Sequence, residues 1–163
     1  MFVIPGPLRT WIGSHLANYR AQNRLESISI PPEVQVVDMY NESYVTSNSC
    51  YMGESYLLSG TNLDEKEVGK FYVDFFSGWN WRIYDRWDSH SYLTVSGLGQ
   101  DEWGRSIEGA FVKKCDEECI SNYNFDKGAI NNAMKKYNSL YLINTHYLPY
   151  EIRGNLCFCC SGG

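Results

Sequence analysis

The stretch between residues 70 and 113 constrains the fold most, because short apolar and aromatic runs alternate there with turn signals. Apolar residues alternate with others over 71–84, around a turn at 77–80, and two further runs follow at 92–96 and 107–113. A spacing of about ten residues between such runs is typical of antiparallel sheets. We therefore predict an antiparallel β meander over about residues 70–113.

Helices are predicted on both sides of this meander. Pro7 suits the first position of a helix, where its missing N–H costs nothing, and apolar residues then recur at three- and four-residue spacing as far as Tyr19. This pattern predicts a helix over about residues 8–24. Asp126 is a favourable N-cap, and an apolar stripe after it predicts a second helix over about residues 126–138.

Additional strands are predicted at 34–40, 51–58 and 140–148, whereas 41–49 is expected to be a turn and 60–69 a charged loop or a single helical turn. The fold class is therefore α+β, with both helices packed on one face of the sheet. We expect a single domain over residues 1–152 and a Cys- and Gly-rich tail over 153–163.

The composition predicts one folded, acidic domain. The chain has 163 residues, 44% of them hydrophobic, and a formal net charge of −5, a balance that excludes an intrinsically disordered chain. It lacks the clustered cations that nucleic acid requires, any apolar stretch of the ~18 residues that a membrane helix needs and a secretory signal. We expect a soluble cytoplasmic protein with no nucleic-acid partner and no transmembrane segment. Signature motifs of nucleotide, zinc-protease and serine-hydrolase sites are absent.

The chain has six cysteines, and the one cofactor that they point to is a structural zinc ion. Cys115 and Cys119 are four residues apart, which places both on one face of a helix, and Cys157 and Cys159 would complete a four-thiolate structural zinc site. The alternative is unpaired, reduced thiols, which the missing export signal favours, and no other cofactor is expected. For the cysteines near the C-terminus, disulfide formation and lipidation also stay open.

A cysteine-dependent hydrolase or transferase is one functional hypothesis. Cys50 follows a polar loop, and a nucleophilic thiol needs a base within hydrogen-bond reach and a group that orients this base. His90 or His146 would be the base, and Asp85 or Asp88 would orient it. The alternative is an ordinary loop cysteine with surface histidines.

Aromatic residues make up 15% of the chain, with 13 Tyr, 7 Phe and 5 Trp. One interpretation is a sheet whose two faces are covered by helices and by loops. The other is an exposed aromatic surface, since Trp, Tyr and Arg are enriched at binding hot spots. The candidate binding residues on that surface are Trp79, Trp81, Arg82, Tyr84, Arg86 and Trp87.

These patterns favour a small acidic binding or inhibitor-type protein that sequesters a protein partner or a small aromatic or sugar-like ligand through an aromatic-rich surface. In size and charge it is similar to small host-directed viral or phage proteins and to immunity proteins. The Cys50 enzyme is the second hypothesis. The third is a structural or virion subunit that self-associates through its aromatic face. The sequence leaves the oligomeric state open.

Overall fold

The computed structural model describes residues 6–45, 51–78, 82–87, 93–100 and 106–147. In chain order the elements are α1 (Gly6–Glu26), β1 (Gln35–Val45), β2 (Tyr51–Thr61), α2 (Glu65–Ser77), β3 (Arg82–Trp87), β4 (Leu93–Gln100), β5 (Ser106–Cys115), α3 (Glu117–Ser121), α4 (Lys127–Lys136) and β6 (Ser139–Tyr147). The predicted α+β class and both predicted helices are confirmed.

The strands form one six-stranded antiparallel sheet in the order β1-β2-β6-β5-β4-β3. Strands β3, β4 and β5 follow one another as neighbours, so the predicted meander is present, although it begins at Arg82 rather than near residue 70. The last strand, β6, lies between β2 and β5 and joins the meander to the β1–β2 hairpin. Strands β1 and β3 are the two outer strands of this sheet.

The strand predicted around Phe71, Val73 and Phe75 is wrong, because this segment belongs to helix α2. The Asp64 side chain accepts a hydrogen bond from the Lys66 backbone N–H, and the Glu67 carboxylate accepts one from the Asp64 N–H. This capping box starts the helix inside the segment predicted as a charged loop. Its buried residues recur at helical spacing: Val68, Gly69, Tyr72 and Phe76.

The two predicted helices lie on opposite faces of the sheet, so their placement on one face is wrong. On one face, α2 and the end of α1 cover Leu57 of β2 and Ile143 of β6. On the other face, α3 and α4 cover Leu58 and Leu142. Because β2 and β6 carry apolar residues at consecutive positions, both of their faces must be removed from water.

Before its last turn, where Leu25 is buried in the core, helix α1 contacts the sheet through small residues. Ala17 and Ala21 are fully buried, whereas Trp11 and Tyr19 of the predicted apolar stripe are 60% and 61% exposed. The reason is a close approach to β2: a Cβ atom on Gly53 would lie 2.2 Å from the Ala17 carbonyl carbon. Large side chains on this helix face would hold the two backbones apart.

Candidate binding site

Most of the site residues predicted from the sequence have no described side-chain geometry. Residues Cys50, Trp79, Trp81, Asp88, His90, Cys157 and Cys159 lie outside the described residues. The candidate binding residues Arg82, Tyr84, Arg86 and Trp87, together with Asp85, lie in β3, an outer strand. Their roles in binding or catalysis stay predictions.

Cys115 and Cys119 are joined by a disulfide, with their Cα atoms 5.2 Å apart. The prediction of reduced thiols is therefore wrong for this pair. The Asp116 side chain accepts a hydrogen bond from the Cys119 backbone N–H and caps α3, and this turn brings the two sulfur atoms together. Sulfur atoms bonded to each other do not serve as thiolate ligands, so the pair does not fit the proposed zinc site. The described residues contain no cluster of three or more potential metal ligands.

Four tyrosines and one glutamate form a polar cluster, mainly on β1 and β2. We call it the tyrosine–glutamate cluster, and its members are Tyr40, Tyr44, Glu54, Tyr56 and Tyr123. Four of them come from β1 and β2, where Tyr40 pairs with Tyr56 in the register. The cluster lies on the sheet face that α3 and α4 cover, since Tyr56 belongs to the core on that side.

Two phenol groups converge on one carboxylate in this cluster. The Tyr44 hydroxyl lies 2.9 Å from Glu54 Oε1, and the Tyr56 hydroxyl donates to Glu54 Oε2. The Tyr44 hydroxyl also lies 2.9 Å from the sulfur of Met52. Because a phenol has one proton and a carboxylate is the stronger acceptor, the proton is directed to Glu54. Both carboxylate oxygens are therefore oriented by the protein itself.

Ring contacts hold these phenols in place. The Tyr40 and Tyr56 rings are stacked with centroids 4.7 Å apart, and Phe125 meets Tyr40 edge-on at 5.0 Å. Tyr123 lies 5.4 Å from Tyr56. The segment that carries Tyr123 and Phe125 is fixed to β1, because the Asp126 backbone N–H donates to the Asp38 carboxylate at 2.7 Å. The rings are therefore held in fixed positions near the carboxylate, with Tyr56 and Phe125 buried and Tyr40 and Tyr123 partly exposed.

Burial raises the pKa of the Glu54 carboxyl above its usual value, the Tyr44 hydrogen bond lowers it in part, and the Glu42 carboxylate raises it further. Glu42 lies directly opposite Glu54 in the β1–β2 register, an arrangement in which like charges are destabilising. Burial, with a contribution from Glu54, raises the pKa of Tyr44 to about 12. Tyr44 therefore stays a hydrogen-bond donor at neutral pH.

His146, one of the predicted catalytic bases, lies next to this cluster. It pairs with Glu54 in the β2–β6 register, so both residues share one face of the sheet. Its imidazole lies over Gly109, where a Cβ atom would be 2.2 Å from the ring carbon Cε1. The residue that the structure places beside His146 is thus Glu54, which is not among the site residues predicted from the sequence.

Two clefts open elsewhere on the described surface. One, of about 240 Å³, lies between the β5–α3 junction and the end of α4, beside Cys115 and Tyr137. The other, of about 230 Å³, lies beside Arg20, Arg24 and Tyr147. Pockets that enclose drug-sized ligands measure roughly 300–1,000 Å³, so these clefts do not suit such a ligand.

Comparison with known proteins assigns no family to this chain. No protein-family model matches it, and neither the curated proteins nor the solved structures contain a match. Within the part of the chain that the structure describes, no helix combines the length and the apolar character needed to cross a membrane. A functional proposal therefore depends on the geometry of the described residues.

Proposed function

We propose that this protein is a binding protein that holds a cationic group of its ligand or partner at the tyrosine–glutamate cluster. An amine or a guanidinium group would contact the Glu54 carboxylate and the faces of the neighbouring tyrosines. The protein would act by occupying its partner rather than by catalysing a reaction.

The observation that carries this proposal is the convergence of Tyr44 and Tyr56 on Glu54. A carboxylate whose oxygens are already oriented loses little freedom when a cation binds. Aromatic faces beside it attract the same cation through their quadrupoles, and desolvation strengthens that attraction.

The local charge favours the same kind of ligand. Glu42 and Glu54 are opposed across β1 and β2, and within the described residues no ion pair is found for either of them. A bound cation would relieve the repulsion between the two carboxylates. The formal net charge of −5 would attract a basic partner over a longer distance.

The first test measures the binding of arginine amide by NMR, with citrulline amide as a neutral probe of nearly the same shape. We expect the wild-type protein to bind arginine amide with a Kd in the millimolar range, as a single partly exposed site with one carboxylate and neighbouring aromatic rings allows. The Glu54→Gln variant should raise this Kd at least ~5-fold, because it removes the charge and keeps the shape.

Glu33→Gln is the matched control, because it changes the net charge equally at an exposed position away from the cluster. This variant should bind arginine amide as the wild type does. Equal binding of arginine amide and citrulline amide, or equal binding by wild type and Glu54→Gln, would refute the proposal.

A cysteine-dependent enzyme is the second candidate, and one observation favours it. The Glu54 carboxylate lies across from His146 in the register, so this pair would supply a base and a group that orients it. Cys50, four residues before Glu54, would be the nucleophile. An activated thiol alkylates quickly near neutral pH, so alkylation of Cys50 no faster than that of a peptide thiol would exclude this candidate.

A further inference from the structure

We infer that the outer edge of β1 binds an extended partner segment by strand addition, and that this segment has basic residues on one face and apolar residues on the other. The inference rests on the proposed function, because the basic residues of the segment would supply the cation for the tyrosine–glutamate cluster. It names a surface and a mode of recognition that the cluster alone does not define.

Strand β1 leaves one of its edges unpaired within the described part of the chain. It stands at the end of the strand order, pairs with β2 on its inner side and runs for 11 residues. An edge strand presents free N–H and C=O groups at every second residue. Such a row of groups is a template for an added strand.

The backbone geometry identifies which residues face outward. The Met39 N–H donates to the Asp38 carboxylate at 2.8 Å, which marks Met39 as one of the positions that do not bond to β2. By alternation, Asn41, Ser43 and Val45 also direct their N–H and C=O groups to the outer edge. Asp38 thus satisfies the first of these donors, and the three following residues are left for a partner.

The usual protection of an edge strand is confined to the first part of β1. Natural edges are guarded by bulges, by Lys, by Pro or by inward-pointing charges. The β1–β2 register shifts between Val36 and Asp38, which is a bulge. From Met39 to Val45 the strand has no Lys, Arg or Pro, and its one charged residue is the exposed Glu42. A carboxylate there opposes an acidic or identical strand but not a basic one, so this part remains open to a basic partner.

The two faces of this open part differ in chemistry. Met39, Asn41, Ser43 and Val45 share one face; Met39 and Val45, at its two ends, are 48% and 52% exposed and offer apolar contacts there. Tyr40, Glu42 and Tyr44 share the other face and lead to the cluster around Glu54. Because residues directly opposite on paired strands share a face, a matching strand alternates apolar and basic residues.

A second copy of this chain fits the edge less well than a basic segment does. If two copies of β1 paired in antiparallel fashion about Asn41, Glu42 or Ser43, Glu42 would lie opposite or diagonal to its own equivalent. Like charges at these positions are destabilising. A Lys or Arg opposite Glu42 would replace this repulsion with attraction, so we assign the edge to a basic partner.

The test uses a fluorescent peptide of about seven alternating Lys and Val residues and an otherwise identical peptide with Glu in place of Lys. Fluorescence anisotropy should show binding of the Lys–Val peptide and at least ~10-fold weaker binding of the Glu–Val peptide. Ser43→Pro removes an outward N–H that β2 does not use and should weaken binding of the Lys–Val peptide at least ~10-fold. Ser43→Ala, the control, should bind it as the wild type does.

A second test changes the peptide instead of the protein, so that it remains decisive if Ser43→Pro does not fold. Two Lys–Val peptides are N-methylated at alternate positions, so that together they cover every backbone nitrogen. Strand addition requires that one of the two loses its binding, because one set of N–H groups faces β1. Retained binding by both N-methylated peptides, or by folded Ser43→Pro, would refute strand addition.

Other outcomes separate this inference from the proposed function. Suppose that the binding of arginine amide requires Glu54, but that Ser43→Pro binds the Lys–Val peptide as tightly as the wild type does. The inference is then wrong and the proposed function stands. If arginine amide does not bind, the proposed function is wrong and the inference is wrong with it. Self-association of the free protein that Ser43→Pro abolishes would make a second copy the occupant and would also overturn the inference.

Discussion

Replacing Phe76 with alanine is expected to lower the free energy of unfolding by about 4 kcal/mol. Phe76 is completely buried in α2 and packs with Tyr72 and Val68 in the core on the α1 side of the sheet. Removing a buried phenyl ring forfeits its transfer free energy and leaves a cavity among neighbours that relax only in part. Urea unfolding followed by circular dichroism measures this loss.

Phe75→Ala is the matched control, because Phe75 is half-buried at the margin of the same core. It should cost clearly less than Phe76→Ala, since less apolar surface is returned to water. A strand through Phe71, Val73 and Phe75 would reverse this order, because Phe75 would then face the core and Phe76 the opposite side. A larger loss for Phe75→Ala would thus contradict the helix.

Replacing Gly53 with alanine is expected to lower the free energy of unfolding by about 3 kcal/mol, a large effect for one added methyl group. The new Cβ would lie 2.2 Å from the Ala17 carbonyl carbon and 2.3 Å from its oxygen. Both atoms belong to the backbone of α1, so a side-chain rotation does not relieve the clash. The helix must move away from β2, and the packing of Ala17 and Ala21 is lost.

Gly78→Ala is the control for this substitution. Gly78 has φ −68° and ψ −14°, a right-handed conformation that alanine adopts readily, and the nearest atom to its added Cβ is the Phe75 carbonyl oxygen at 3.3 Å. The free energy of unfolding of the Gly78→Ala variant should stay within about 0.5 kcal/mol of the wild-type value. Equal stability of Gly53→Ala and the wild type in urea unfolding would mean that α1 does not pack against β2 in this way.

The periodicity of the sequence identifies α1, α4 and the strands of the sheet, but it does not identify α2. Five of the six residues from Phe71 to Phe76 are apolar, so the run satisfies a strand pattern and a helix pattern equally. The deciding signal lies upstream, where Asp64 and Glu67 have the spacing of a capping box. The capping signal therefore identifies this helix, whereas the apolar pattern does not.

Tertiary structure also decides which helix faces are buried. The large residues of α1 form the more apolar stripe in the sequence, yet Ala17 and Ala21 contact the sheet. This choice depends on Gly53, which is distant in sequence and permits the close approach. Sequence periodicity alone does not contain that information.

The sequence does not predict the tyrosine–glutamate cluster, because the polar residues 41–49 have the composition of a turn. Strand β1 continues to Val45, and this continuation places Glu42 opposite Glu54 and Tyr44 opposite Met52. Alternation of Tyr40, Glu42 and Tyr44 was the available signal. The contribution of Tyr123 required the fold, since α3 and its following loop return to β1 through the bond between Asp126 and Asp38.

Strand β3 and the tyrosine–glutamate cluster lie at different edges of the sheet. Strand β3 and strand β1 lie at opposite edges of the sheet, about 24 Å apart at the usual spacing between strands. A binding role for the residues of β3, which include Trp87, is therefore a separate prediction from the proposal for Glu54. Replacing Trp87 with alanine should leave arginine amide binding unchanged.

The most direct test of the proposed function is an NMR titration of the Glu54 side-chain carboxyl with and without saturating arginine amide. Groups that face Glu54 are Tyr44, Tyr56, Glu42 and His146. In the free protein we expect a pKa above the usual value for Glu, because burial favours the neutral form. The raised pKa makes ionisation of Glu54 unfavourable for folding, so its contribution to stability falls as pH rises from the unfolded to the folded pKa.

A bound guanidinium group favours the ionised carboxylate, so saturation with arginine amide should lower the Glu54 pKa, whereas citrulline amide should leave it unchanged. By linkage, arginine amide should bind more tightly above the Glu54 pKa than below it. A Glu54 pKa that arginine amide does not move would contradict the proposed binding site.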